Sequence, residues 1–204
     1  MPKVCDLSDK FSQCLFAAAY NGDLFLITSL LTNNEFYIYN NQPTVYKALR
    51  SAAQSGYTNC VALLVKHILY DLQSKNQFTA LMMAAHNGHT ECVKLLIPKE
   101  VKNRDEFGMT ALMYAAKYNK IECVKLLKDY EACMKDIHGK TALMYAVENN
   151  AIDAAKLLLK QEFRLRDREG KTALMCAIHN SNYEFVNLLS EMRQTRIKRK
   201  NVKH

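Results

Sequence analysis

Gly139-Lys140-Thr141 leads into an apolar, helix-like run, and a Gly-Lys-Thr in that place is how a phosphate-binding loop ends. Such a loop also needs a glycine five residues before the Gly-Lys, so that successive N–H groups can wrap the phosphates. That position holds Met134, and it holds Leu165 for the second Gly-Lys-Thr at 170–172. Elsewhere in the chain the equivalent of Lys140 is Met109 or Phe78, which is no pattern for a catalytic lysine. Cys60, Cys92 and Cys123 are spaced 32 and 31 apart, whereas metal ligands need tighter groups such as Cys-x-x-Cys, so these read as small core residues. His86 and His89 lie three apart without a third ligand in view. No Ser/His/Asp, Cys/His or paired-carboxylate constellation is recognisable. The sequence thus predicts no enzyme, no cofactor, no metal and no small-molecule substrate.

The elements that carry these residues form a repeat. Thr-Ala-Leu-Met begins at Thr79, Thr110, Thr141 and Thr172, each interval being 31 residues. ECVKLL (91–96), ECVKLL (122–127), DAAKLL (153–158) and EFVNLL (184–189) recur behind it. Asp105, Asp136 and Asp167 stand five residues ahead of a Thr, and Gly108, Gly139 and Gly170 two residues ahead. Residues 47–65 align with the Thr79 copy at an offset of 32, and residues 13–31 more loosely at 34.

One unit can be read physically. Thr141 is placed to cap a short helix over 142–149, with Leu143, Met144, Ala146 and Val147 at helical spacing. Asn149-Asn150 breaks it where Gly56 and Gly88 stand in other units, and both residue types accept left-handed backbone. A second helix starts near Ile152, with Glu91, Glu122, Asp153 and Glu184 in its first turn, where the helix dipole favours negative charge. The Asp-x-x-Gly segment then joins unit to unit as an extended turn or hairpin. One such pair cannot bury its apolar face alone, so the units must stack into a solenoid. The repeat-locked Met82, Met113, Met144 and Met175 are expected in that core. TNNEFYIYNNQPTVY (32–46), with Tyr37, Tyr39 and Tyr46, reads as a modified hairpin.

The formal net charge of +8 is unevenly placed. Arg193, Arg196, Lys198, Arg199, Lys200 and Lys203 crowd into 193–204 and leave the rest of the chain nearly neutral. That basic tail reads as a cap or frayed end, with a targeting, acidic-partner or nucleic-acid contact as the alternative. No run approaches the roughly 18–20 apolar residues a membrane span needs. The polar MPKVCDLSDK start and odd count of seven cysteines suggest a cytoplasmic protein with reduced thiols, the nucleus being the alternative.

The pattern D-x-x-G-x-T-A-L-M-x-A-A-x-x-G-x-x-E-x-V-x-L-L resembles the ankyrin repeat, whose first helix opens with Thr-Pro-Leu-His. Its Thr-Ala-Leu-Met wording resembles arrays in some protist proteins. The resemblance implies an all-α, ankyrin-type helix-turn-helix solenoid with short hairpin or turn connections. It divides the chain into a lead (1–10), an array (11–192) and the tail (193–204). Six units fall near 11–45, 46–76, 77–107, 108–138, 139–169 and 170–192. Met82, Met113, Met144 and Met175 replace the family's His, so apolar packing must stand in for its hydrogen bonds. Ala80, Ala111, Ala142 and Ala173 replace the proline at the first helical position, at little cost. The period of 31 against the family's 33 implies a shorter loop after the second helix.

The family binds protein partners through its concave surface, so the resemblance implies a scaffold or adaptor with a protein partner. Positions that do not repeat are free of structural duty, and these line the turns and the first helices. Turn positions are Asn76, Gln77, Glu106, Phe107, Ile137, His138, Arg168 and Glu169. The candidate partner contacts are Phe107, Met109, Tyr114, Tyr118, His138, Lys140, Tyr145, Lys171 and His179. The aromatics among them offer much contact area at low entropy cost.

Overall fold

Helices of seven or eight residues are marginal on their own in water, so packing must hold them. The computed structural model describes residues 4–68 and 78–190. The helices are α1 (Val4–Asn21), α2 (Leu24–Asn33), α3 (Glu35–Asn40), α4 (Gln42–Ser55), α5 (Thr58–Lys66), α6 (Ala80–Asn87), α7 (Thr90–Glu100), α8 (Ala111–Lys117), α9 (Ile121–Glu131), α10 (Ala142–Glu148), α11 (Ile152–Glu162) and α12 (Ala173–His179). Residues 183–190 are again helical.

The expected all-α solenoid forms. α1, α4, α6, α8, α10 and α12 stand in one row, each packed on the next, and α2, α5, α7, α9 and α11 stand in a second row behind. Leu81, Leu112 and Leu143, the methionines after them, and the Ala pairs 84–85 and 115–116 are all buried between first helices. Val93, Val124, Leu96, Leu127 and Leu158 fill the second row. Small alanines let neighbouring helices approach closely, which a stacked array requires.

Left-handed backbone makes each helix–helix turn. Gly56 and Gly88 have φ of 79° and 87°, and Asn119, Asn150 and Ser181 take over at 52°, 57° and 52°. A Cβ on Gly56 would stand 2.4 Å from the Nδ1 of His89, so glycine also lets the next turn come close. These turns are tied across units: His89 Nε2 meets Gln54 O at 3.0 Å, Asn119 Oδ1 accepts from Ala154 N at 3.1 Å, and Asn182 Nδ2 donates to Asn150 Oδ1 at 2.9 Å.

Three expectations change. Residues 32–46 make no hairpin; they carry α3 and the start of α4, and α4 begins five residues before the aligned Lys47. No Asp-x-x-Gly turn stands there to stop a helix, and Pro43 suits a helix's first turn. Met82, Met113 and Met144 are buried as expected, but Met175 is 48% exposed, because no further Thr-Ala-Leu-Met helix covers it among the described residues. Nor does apolar packing wholly replace the family's histidine at Met82, whose sulfur accepts from Thr79 N at 3.4 Å.

Candidate functional site

The helix N-termini show what each unit does with charge. Thr79 and Thr172 cap as expected, accepting from Met82 N and Met175 N. Thr110 and Thr141 make no cap bond, and their buried hydroxyls have no well-formed hydrogen bond. In the Thr79, Thr110 and Thr141 units alike, a carboxylate from the second helix takes another N–H of the first turn. Leu81 N, Leu112 N and Leu143 N donate to Glu100, Glu131 and Glu162 Oε2 at 2.6, 2.7 and 2.7 Å. A carboxylate is the stronger acceptor and complements the positive end of the helix dipole. The other oxygens of Glu131 and Glu162 accept from Lys102 N and Cys133 N, both at 2.9 Å, in the preceding unit's turn. Both turn residues are left-handed, with φ of 70° and 68°. Glu131 and Glu162 therefore each fix their own unit to the neighbour before it.

Burial raises the pKa of Glu100, Glu131 and Glu162 above the usual carboxylate value, against the backbone amides that lower it. The glutamates recur at 31-residue spacing, a signal in the sequence that the motif reading passed over. They also leave no room for a phosphate at Thr141, because Glu162 already occupies the N–H of Leu143.

The hairpins are built on aspartates. Asp105 Oδ1 accepts from Phe107 N and Met109 N at 3.0 and 2.8 Å, and Asp136 Oδ1 accepts from His138 N and Lys140 N at 2.9 and 2.7 Å. Their second oxygens take the hydroxyls of Tyr114 and Tyr145 at 2.5 and 2.6 Å. Burial, then the aspartate, pushes both tyrosine hydroxyls upward in pKa. Adjacent hairpins join through Ile137 N to Phe107 O at 3.0 Å and Arg168 N to His138 O at 2.9 Å.

This geometry sorts the nine candidate contacts. Phe107, Tyr118, His138, Lys171 and His179 are exposed on the hairpins and first-helix side. Met109 is buried at 6% exposure, in the hairpin that Asp105 closes. Tyr114 and Tyr145 are half-buried and tied to their own hairpins. Lys140 is drawn back to Glu148 at 2.7 Å and lies over the Tyr145 ring at 5.7 Å. Burial lowers its ammonium pKa, but the Glu148 bond and charge outweigh that and raise it overall. Lys171 pairs with Glu169 at 2.6 Å. Asn76, Gln77 and the tail 193–204 lie outside the described residues.

The structure also gathers aromatic rings that the sequence reading had kept apart. Phe78 meets Tyr114 edge-on at 4.7 Å, and His86 lies 4.0 Å from Tyr118, centroid to centroid. Tyr114 and His86, 6.3 Å apart, connect the two pairs. The cluster spans the α6 and α8 units on the first-helix side. Tyr118 is its most open member, at 42% exposure.

The remaining chemistry is quiet. Cys60, Cys92 and Cys123 are buried, and burial first of all raises their thiol pKa values, which keeps thiolate scarce. No group of three His, Cys, Asp or Glu is placed to hold a metal ion among the described residues. No helix among them is long and apolar enough to cross a membrane.

A family model described as ankyrin repeats (3 copies) matches residues 15–105, 65–137, 98–165 and 128–201. No curated protein matches the chain. Ankyrin repeats are in general protein–protein interaction modules, typically without enzymatic activity. Two rows of stacked helices, left-handed inter-helix turns, Asp-closed hairpins and a match along most of its length agree: the chain belongs to the ankyrin-repeat family.

Proposed function

We propose that this protein is a scaffold or adaptor that binds a protein partner through the face made by its first helices and hairpins. One observation carries the reading. The Phe78, His86, Tyr114 and Tyr118 cluster presents rigid aromatic surface across two units. Anchors of this kind dominate protein interfaces, because they bury much area while fixing few torsions. The glutamate and aspartate bonds hold the backbone beneath, so little ordering is left for the binding step. Phe107 and His138 extend the face along the hairpin tips, and His179 extends it along the first helices.

Tyr118 and Phe107 are the residues to remove, because the side chain of neither bonds to an aspartate. Affinity capture with wild type is compared with F107A/Y118A, after melting curves establish that both are folded. The variant is expected to lose the proteins captured by the wild type. Retention of the same proteins in the same amounts would place the binding surface elsewhere.

A further inference from the structure

The aromatic cluster has an unbalanced electrostatic surround. Lys117 and Lys120 flank it, the first with its ammonium 5.4 Å from the Tyr118 ring centre. The stem of Lys120 crosses Gly88, where a Cβ would lie 2.9 Å from its Cδ, so its path requires the glycine. Among the described residues neither lysine forms an ion pair. Three lysines near the starts of α7, α9 and α11 differ: Lys94, Lys125 and Lys156 each meet an acid three residues earlier. Burial first, then the charges of Lys120 and Lys117, holds the His86 pKa below its ordinary value.

The acids of this region are turned inward. Of the side chains whose exposure is described, 20 are Lys or Arg and 15 are Asp or Glu. Five of those 15, Glu100, Asp105, Glu131, Asp136 and Glu162, are buried, while no lysine or arginine is. Among the described residues the exposed side chains are therefore more basic than the count of 20 against 15 alone suggests. Glu148, the acid of the neighbouring first helix, is already held by Lys140.

We infer that this surface selects an acidic polypeptide segment, with an apolar or aromatic residue seated against Tyr118 and His86 and a flanking carboxylate received by Lys117 and Lys120. The inference rests on the proposed binding face and adds the chemistry of its partner. Polypeptide is favoured over nucleic acid because the rings are mostly committed edge-on or tilted to one another. They offer no open series of faces on which successive bases could stack. A carboxylate matches two unpaired ammonium groups beside an apolar anchor, and such complementarity sets specificity more than raw affinity.

The test measures fluorescence anisotropy of the full chain with three labelled nine-residue peptides. Each has a central Phe, flanked by Glu, Gln or Lys. The Glu peptide should bind about ten-fold more tightly than the Gln peptide, as two partly screened ion pairs allow. K117Q/K120Q should erase that preference, whereas Y118A should weaken both peptides. Glu-peptide binding should also raise the His86 pKa in an NMR titration, read against Lys117, Lys120, Tyr114 and Tyr118 as its neighbours. Equal affinity for Glu and Gln peptides overturns the acidic-partner inference while leaving the face intact. A preference that survives K117Q/K120Q overturns it by locating the attraction elsewhere, such as the basic 193–204. A nine-nucleotide oligothymidylate that binds more tightly than the Glu peptide, with the same lysine dependence, overturns it in favour of nucleic acid. Indifference of both peptides to Y118A would instead remove the face itself.

Discussion

The middle of the array and its N-terminal part solve the same packing problem by different means. From α6 to α11 each first helix is seven or eight residues long and starts at a threonine, with a buried glutamate at its N-terminus. In the N-terminal part α1 runs for 18 residues and α4 for 14. There a neutral side chain is buried: Gln42 donates to Ile38 O at 2.9 Å and to His67 O at 3.2 Å. A buried anion that collects N–H groups permits an abrupt helix start and fixes the neighbour at once. Where it is missing, the helix continues until other contacts stop it. The final unit is intermediate. Asp167 still closes its hairpin, but Cys176 stands where Tyr145 stands and brings no hydroxyl, and position 193 is Arg in place of a fourth glutamate.

The sharpest way to break this comparison is to remove one glutamate. E131A leaves Lys102 N and Leu112 N without their acceptor, the second of them buried. Unsatisfied donors of this kind cost about 1–3 kcal/mol each, so a loss of roughly 2–4 kcal/mol is expected in urea unfolding. Q42A removes donors from two carbonyls, which tolerate an unmet bond better, and should cost about half as much. If Q42A proves as damaging as E131A, the anion has no special part in holding the stack. Both measurements need an overall transition, since repeat arrays can unfold in parts.

A smaller effect separates the middle from the C-terminal end. D136A frees His138 N, Lys140 N and the Tyr145 hydroxyl, while D167A frees Glu169 N and Lys171 N, which water can reach. About 1.5–2.5 kcal/mol is expected for D136A and below about 1 kcal/mol for D167A, by the same unfolding assay. Equal losses would mean that the hairpins act independently of their place in the stack.

The architecture was legible because it repeats. Thr-Ala-Leu-Met and the Leu-Leu pairs mark both helices of the later units, and every left-handed turn between the two helices of a unit carries Gly, Asn or Ser. Less was legible where identity and duty part company. Thr110 and Thr141 look like caps, yet neither hydroxyl makes the cap bond, and a glutamate 21 residues further along takes the N–H of Leu112 or Leu143. Glu131 looks like an exposed charge at a helix end, and only its period betrays that it never faces water. The candidate site fared less evenly for a related reason. Variation between units marked Lys140 and Met109 as free for a partner, but one closes an ion pair within its unit and the other is buried in its hairpin. His86 and Tyr118, 32 positions apart, meet only because the units stack.

The mildest prediction concerns pH, and two sets of groups oppose each other in it. Glu100, Glu131 and Glu162 have raised folded pKa values, so their contribution is full below the ordinary 4.5 and is lost as pH rises through the higher folded value. His86 has a lowered folded pKa, so its contribution is full above the ordinary 6.5 and is lost as pH falls through the lower value. The wild-type melting temperature alone therefore mixes a gain with a loss on acidification. Comparison with E131Q/E162Q separates them, because His86 titrates in both proteins and the two amides do not titrate. As pH falls from neutrality towards the ordinary glutamate range, the wild type should gain on the variant by a few degrees, about 1 kcal/mol in a domain of this size. A gap that narrows instead would mean that the two backbone amides on each carboxylate outweigh its burial. The glutamates would then stabilise the stack as anions, and the contrast with neutral Gln42 would be greater than the raised pKa values imply.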